Sequence, residues 1–373
     1  MELIKKAGLA VLSLILACLC GEGFLRIAAG RFYTPKIITE GYLRPNSYLY
    51  QTLKPDSSTP VARGSVDVNS EGFRGRAVSR KKPDGVYRIF VLGGSTTFGY
   101  PQGLPATEDT YPFQLEAELR KRLRTEKIEV VNAGVTGYTT RTSLINFITR
   151  IRWMDPDMVV IYHAANDAIA IQREEDLSDA VLNARSWPSV WESVRNASYF
   201  LLELNYRYYR RFSRAATVPR AKTDQPSSVT LSAYENHLRG LVSLAKQAGV
   251  QVVIGNEATI IPSGCAQGRI TGPDRSSLEA MEGVLCFSMD WYFPHLTVPG
   301  VRKTFDAMAA VQQKVAAEYQ SAWVDMNPRV TKTPEYFTDF CHNRPPGARQ
   351  VAAAFADVIE PQVARALAGK SEP

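Results

Sequence analysis

Ser95 stands where an apolar run, Ile89-Phe90-Val91-Leu92, gives way to Gly93-Gly94-Ser95-Thr96-Thr97. A hydroxyl delivered to a tight turn at the end of a buried strand is placed for nucleophilic attack, provided a base removes its proton. Near the other end of the chain, Asp339-Phe340-Cys341-His342 supplies that base. An aspartate three residues before a histidine on a turn can hold one ring nitrogen while the other faces a nucleophile. Two further segments end in groups that suit a developing negative oxygen. Lys127 to Val135 contains Gly134, whose amide can approach a ligand closely, and Asp157 to Asp167 closes on Asn166, a side-chain amide donor, followed by the carboxylate of Asp167. Each has a plainer reading alone: Ser95 and Asn166-Asp167 as helix caps, Gly134 as a turn glycine. Together they supply a nucleophile, a base, an orienting carboxylate and oxyanion donors.

Competing chemistries fail on spacing. A nucleotide phosphate loop needs a lysine after its second glycine and a dinucleotide fingerprint needs three glycines at fixed offsets; Gly93, Gly94 and Gly99 satisfy neither. The Gly-x-Ser-x-Gly elbow has Thr97 in place of its last glycine. No His, Cys, Asp and Glu cluster has metal-ligand spacing, so no metal or organic cofactor is expected. One rival to His342 exists: His295 follows Asp290 at five residues and precedes Val298-Pro299-Gly300. A further strand, Ala322 to Met326, comes after it, whereas the catalytic histidine should follow the last strand. His295 is therefore expected as a loop residue near the pocket mouth, and His163, inside an apolar strand, as a core histidine.

These residues need a scaffold that brings strand ends together. From Arg88 onward strands and helices alternate: strands are expected at 88–94, 127–133, 157–163, 250–256 and 321–326, and helices near 111–125, 141–153, 230–248, 299–319 and 346–368. That alternation predicts an α/β fold, a three-layer α/β/α sandwich around a five-stranded parallel sheet with right-handed crossovers. Insertions are expected near 170–228 and 260–298, where substrate choice is commonly made. The chain divides into a segment 1–30, an extended arm 31–85 and a catalytic domain 86–373 carrying those insertions.

In this order the four pieces resemble the SGNH hydrolases of the GDSL esterase and lipase superfamily, over roughly residues 65 to 368. The block I serine falls on Ser95, the block II glycine on Gly134 within Asn132-Ala133-Gly134, the block III asparagine on Asn166, and the block V pair on Asp339 and His342. The chain departs from the pattern at Gly94, where the family has aspartate, at Ala164, where it has glycine, and at Asn343-Arg344. The resemblance implies the flavodoxin-like SGNH fold and a Ser95–His342–Asp339 triad, with Ser95, Gly134 and Asn166 forming the oxyanion hole. Asn69-Ser70-Glu71-Gly72-Phe73-Arg74 is similar to a segment common in membrane-anchored members of the family.

The amino terminus sets the compartment. Lys5 and Lys6 precede the uncharged run Ala7 to Cys20, which has the length of a signal h-region. Export is expected, with the segment kept as a membrane anchor, lipidated at Cys18 in Ile15-Leu16-Ala17-Cys18, or cleaved. In an oxidising space Cys265 and Cys286 can bridge the second insertion, leaving Cys341 as a packed thiol. Ser198 to Phe212 interleaves aromatic and basic residues, which suits an anionic membrane, an acidic glycan, a lid or an ordinary amphipathic helix. The net charge of +7 would also fit nucleic acid, which an exported enzyme seldom meets. The expected reaction is hydrolysis of a short acyl ester, such as acetyl, on an extracytoplasmic glycan or lipid. The alternatives are acyl transfer to a polysaccharide through the same triad, and a non-catalytic glycan-binding or assembly protein.

Overall fold

The computed structural model describes residues 2–28, 42–46, 48–61, 64–99, 105–170, 198, 200, 204, 222–265 and 278–369. It opens on a helix, α1 (Glu2–Ala28), whose Leu9, Leu12, Ile15, Leu16 and Leu19 are exposed. Among the described residues no helix is long and apolar enough to cross a membrane. Near its end, Glu22 accepts hydrogen bonds from Ser198 Oγ and the Phe200 amide. Most of the aromatic and basic stretch from Ser198 to Phe212 lies outside the described residues, as does most of the first insertion.

Two antiparallel hairpins follow, β1 (Leu43–Asn46) with β2 (Tyr50–Leu53) and β3 (Ser57–Val61) with β4 (Gly64–Val68). They bury a small core of their own, in which Tyr42 stacks on Phe98 of the main domain at 5.0 Å. Arg74 bridges Val68 on one side and Asn132 on the other, which joins the hairpin to the edge of the main sheet.

The interior strand β5 (Tyr87–Gly93) is buried at every position. A strand with no solvent face must be covered on both sides, and the continuous apolar run answers that need. It runs directly into α2 (Ser95–Phe98), then α3 (Tyr111–Leu123), β6 (Ile128–Asn132), α4 (Thr140–Thr149), β7 (Met158–Tyr162) and α5 (Ala165–Ala170). Beyond the first insertion come α6 (Ser228–Gln247), β8 (Gln251–Gly255), α7 (Leu278–Tyr292), α8 (Val298–Glu318), β9 (Ala322–Val324) and α9 (Pro345–Gly369). The sheet order is β6-β5-β7-β8-β9, with every neighbour parallel. Helices α3 and α9 pack together against the sheet, and α4, α6 and α8 form a second packed group. The α/β fold with a five-stranded parallel sheet flanked by helices is thus the one the alternation predicts. β9 is shorter than expected, because Asp325 and Asn327 turn the chain away: Asn256 Nδ2 donates to Asp325 Oδ1 at 2.9 Å and Asn256 Oδ1 accepts from the Met326 amide. The second insertion carries α7, a helix not anticipated from the sequence, and a Cys265–Cys286 disulfide ties the loop after β8 to it.

Candidate active site

The order β6-β5-β7 reverses chain direction of travel across the sheet at β5, and ligands in open parallel sheets bind outside such a point, at the carboxyl ends of the strands. Ser95 opens α2 there. Its Oγ lies 2.8 Å from His342 Nε2, and His342 Nδ1 lies 2.7 Å from Asp339 Oδ2. The other carboxylate oxygen, Oδ1, accepts the amides of Cys341 and His342 at 3.0 and 2.9 Å, so the aspartate shapes the turn that holds its own partner. Ser95 and His342 are 247 residues apart in sequence, and the sheet closes that distance.

Burial alone lowers the basicity of His342, but the charge and hydrogen bond of Asp339, aided by Glu257, hold its pKa above the ordinary histidine value. For Asp339, burial works upward and is outweighed by His342 and the turn amides, which keep its carboxyl below the usual range. The pair therefore favours aspartate as the anion, the state that fixes the imidazole tautomer. Burial pushes the neighbouring Cys341 thiol well up, so it is a packed thiol and not a nucleophile.

The turn carrying this pair is braced from behind. Phe340 packs edge-on against Phe293 at 5.5 Å and lies against Phe305 at 6.4 Å, and its carbonyl accepts the Ile260 amide. Tyr292, at the end of α7, covers the same ring at 5.6 Å. His295 sits on the turn after α7, where its carbonyl accepts the Thr223 amide, while the hydroxyl of Ser95 is bonded to His342. His163 is buried against Ser143, and Asp167 binds the Thr140 amide and hydroxyl, bracing the loop after β7.

The donors for a negative oxygen are arranged differently from the sequence expectation in one respect. Asn166 stands beside the serine turn and spends one N–H on the Tyr138 carbonyl at 2.9 Å, leaving its second. Gly134 is buried, and its amide donates to Asn132 Oδ1 at 3.0 Å, so it is committed within its own turn. The glycine is there for packing: a β-carbon would stand 2.5 Å from the Phe98 nitrogen and 2.7 Å from Thr97 Cβ. Asn132 completes the clamp by donating from Nδ2 to the Thr97 carbonyl. Three residues on, exposed Gly137 adopts a φ of 80° directly before Tyr138, whose carbonyl is the one that Asn166 holds.

Two residues outside the expected set also hold the nucleophile. Buried Arg74, the last residue of Asn69 to Arg74, donates to the Phe98 and Gly99 carbonyls at the end of α2 and to the Pro105 carbonyl. Glu257, after β8, accepts from the Thr96 hydroxyl at 2.5 Å. Among the described residues, Asp339, Cys341 and His342 are the one group of His, Cys, Asp or Glu side chains close enough together to hold a metal, and there Asp339 and His342 are already bonded to each other.

A hydroxyl, an imidazole and a carboxylate in line at the strand ends of an open parallel sheet define a serine hydrolase. Residues 91–350 match the GDSL-like lipase/acylhydrolase family, and the chain belongs to it, as an ester hydrolase. No curated protein matches the sequence. Among solved structures it is similar to an acetylxylan esterase of Geobacillus stearothermophilus in a catalytic-mutant form, with 18% identity, 74% of this chain and 96% of that one covered, and a TM-score of 0.42. It is also similar to a lipase/acylhydrolase of Enterococcus faecalis, with 15% identity, 74% and 97% covered and the same score of 0.42. An α/β hydrolase from the metagenome of Lake Arreo has 15% identity, 74% and 96% covered and a score of 0.42.

Proposed function

We propose that this chain hydrolyses short acyl esters, acetyl foremost, on an extracytoplasmic glycan while α1 holds it at a membrane. The observation that carries the hydrolytic half is the unbroken line Ser95 Oγ, His342 Nε2, His342 Nδ1, Asp339 Oδ2. His342 takes the Ser95 proton as Oγ attacks the ester carbonyl, and Asp339 stabilises the imidazolium. The oxyanion meets the Ser95 amide and the second N–H of Asn166, with Gly137 in place of Gly134 as the third donor. One such donor contributes about 3 to 4 kcal/mol to the transition state. His342 returns its proton to the leaving alcohol, then activates the water that releases the acid from the acyl-enzyme.

The glycan is supported by α7. Phe287 and Trp291, one turn apart, stack at 5.9 Å and 17° and are 57% and 53% exposed, on the helix whose Tyr292 packs against Phe340. Exposed aromatic faces in register mark an interaction site, and flat rings suit the C–H faces of sugars. The membrane is supported by the exposed leucines of α1 behind Lys5 and Lys6, since apolar area left in water costs about 25 cal/mol per Å².

The test is acid release from p-nitrophenyl esters of increasing chain length by the full chain in detergent. Ser95→Ala and His342→Ala should abolish it, His295→Ala should not, and Trp291→Ala should raise KM on acetylated oligosaccharide alone. A Ser95→Ala protein as active as the wild type would end the hydrolase reading. Acid release that drops when an unacetylated glycan is added, with acyl groups appearing on that glycan, would mark a transferase.

A further inference from the structure

Among the described residues, Glu257 is a buried ionisable group that the triad and its donors leave unused. Glu257 lies two residues beyond the end of β8 and is 4% exposed. Its Oε1 accepts from Thr96 Oγ1 at 2.5 Å; its Oε2 accepts the Ala164 amide at 2.9 Å and the Ala165 amide as well. Thr96 directly follows the nucleophile, and Ala165 directly precedes Asn166. One carboxylate thus joins the turn of the attacking oxygen to the turn of the oxyanion donor, across β5, β7 and β8.

Burial pushes the Glu257 carboxyl above its ordinary value, and the bonds from Thr96, Ala165 and Ala164 and the charge of His342 pull it part of the way back down, since a buried carboxylate is costly unless hydrogen bonds and a compensating charge answer it. Three donors supply the hydrogen bonds. The titratable groups that face Glu257 are the Tyr111, Tyr162 and Tyr234 hydroxyls, the Cys341 thiol, the Asp167 carboxyl and His342. Of these only His342 becomes a cation, and it does so when it takes the serine proton.

We propose that Glu257 is a positioning residue of this site, locking the Ser95 and Asn166 turns to each other and supplying, beside Asp339, a second negative charge for the protonated state of His342. The proposal rests on His342 being the base of the esterase reading. The two anions differ in what they hold. Asp339 sets the imidazole tautomer by direct contact, whereas Glu257 acts through Thr96, through the Asn166 turn and through space.

The experiment titrates the His342 ring by NMR in the full chain with labelled histidine, the signal being assigned by its loss in His342→Gln. Glu257→Gln keeps the shape of the side chain and removes its charge; Thr96→Val keeps the charge and removes the tie. The His342 midpoint should fall by about one pH unit in Glu257→Gln and hold in Thr96→Val. Both variants should lose about tenfold or more in kcat on p-nitrophenyl acetate with KM little changed. An unmoved His342 midpoint in folded Glu257→Gln overturns the electrostatic role. Wild-type kcat in Thr96→Val overturns the positioning role, and does so even if Glu257→Gln does not fold. A wild type that hydrolyses no ester while Glu257→Gln still moves the His342 midpoint overturns the esterase reading, and with it the catalytic sense of this role, but upholds the coupling of Glu257 to His342.

Discussion

Gly94 and Asn166 approach so closely that a β-carbon on Gly94 would stand 2.5 Å from Asn166 Nδ2, and 3.1 Å from the Tyr138 carbonyl that Asn166 holds. The family pattern has an aspartate at this place, and from sequence its absence reads as a carboxylate lost beside the nucleophile. In this fold the glycine is what lets Asn166, the oxyanion donor of the proposed mechanism, sit against the serine turn. Gly94→Ala should therefore push Asn166 out of position and lower kcat by about a hundredfold, with little change in KM, because the lost contact belongs to the transition state. Steady-state kinetics on p-nitrophenyl acetate checks both parameters.

The charge on His342 sets the pH dependence. A general base must be neutral to accept the serine proton, so kcat/KM falls as pH drops through the His342 pKa and levels off above it. Because Asp339 and Glu257 outweigh burial and hold that pKa above the ordinary value of 6.5, the half-maximal point of the acid limb should lie above pH 6.5. Asp339→Asn should lower kcat by about 10⁴-fold through the wrong tautomer. A profile of kcat/KM across the neutral range, with the variant beside it, decides both.

What was legible in the sequence was local. The apolar run into Gly93-Gly94-Ser95 announces a buried strand ending in a hydroxyl, and Asp339 and His342 are close enough in sequence for their spacing to imply contact. Their meeting with Ser95 is legible only through the strand and helix alternation together with the family resemblance, since the sheet makes that contact. Which glycine serves as the third donor is not legible for a local reason: Asn132-Ala133-Gly134-Val135-Thr136-Gly137 contains two glycines, and only the structure shows the Asn132 side chain taking the amide of the nearer one, which is why the proposed mechanism turns to Gly137. Glu257 carried no signal, because its partners Thr96, Ala164 and Ala165 are remote in sequence and two of the three bonds use backbone amides.

Arg74 explains why an arm residue belongs to the site. Its guanidinium is buried, spans three carbonyls around the end of α2, and lies 4.7 Å over the Phe98 ring, at a burial that lowers its pKa to about 10. Arg74→Met would leave those carbonyls without donors and should lower stability by about 3 kcal/mol, read from denaturant unfolding. Arg74→Lys should recover only part of that loss, since a compact ammonium lacks the planar fork that reaches separated acceptors.

The buried pair His163 and Asp167 makes a prediction in which two pH effects hide one another. Burial pushes His163 down to about 3 and Asp167 up to about 7, with Ser143 bonded to the imidazole at 2.7 Å and Thr140 to the carboxyl. A histidine with a lowered folded pKa contributes stability that is present above its ordinary 6.5 and lost as pH falls toward 3. A carboxyl with a raised folded pKa contributes stability that is present below its ordinary 3.8 and lost as pH rises through about 7. Between pH 3.8 and 6.5 the folded pair holds one proton on Asp167, and the unfolded pair holds one on His163, so the two slopes cancel. Removing either partner should expose the other. In that window Asp167→Asn should gain stability with rising pH and His163→Gln should lose it, each with a slope of about 1.4 kcal/mol per pH unit relative to wild type. Denaturant unfolding of the three proteins at several pH values within the window measures the slopes, and parallel lines for all three would mean that the pair does not hold its proton as described.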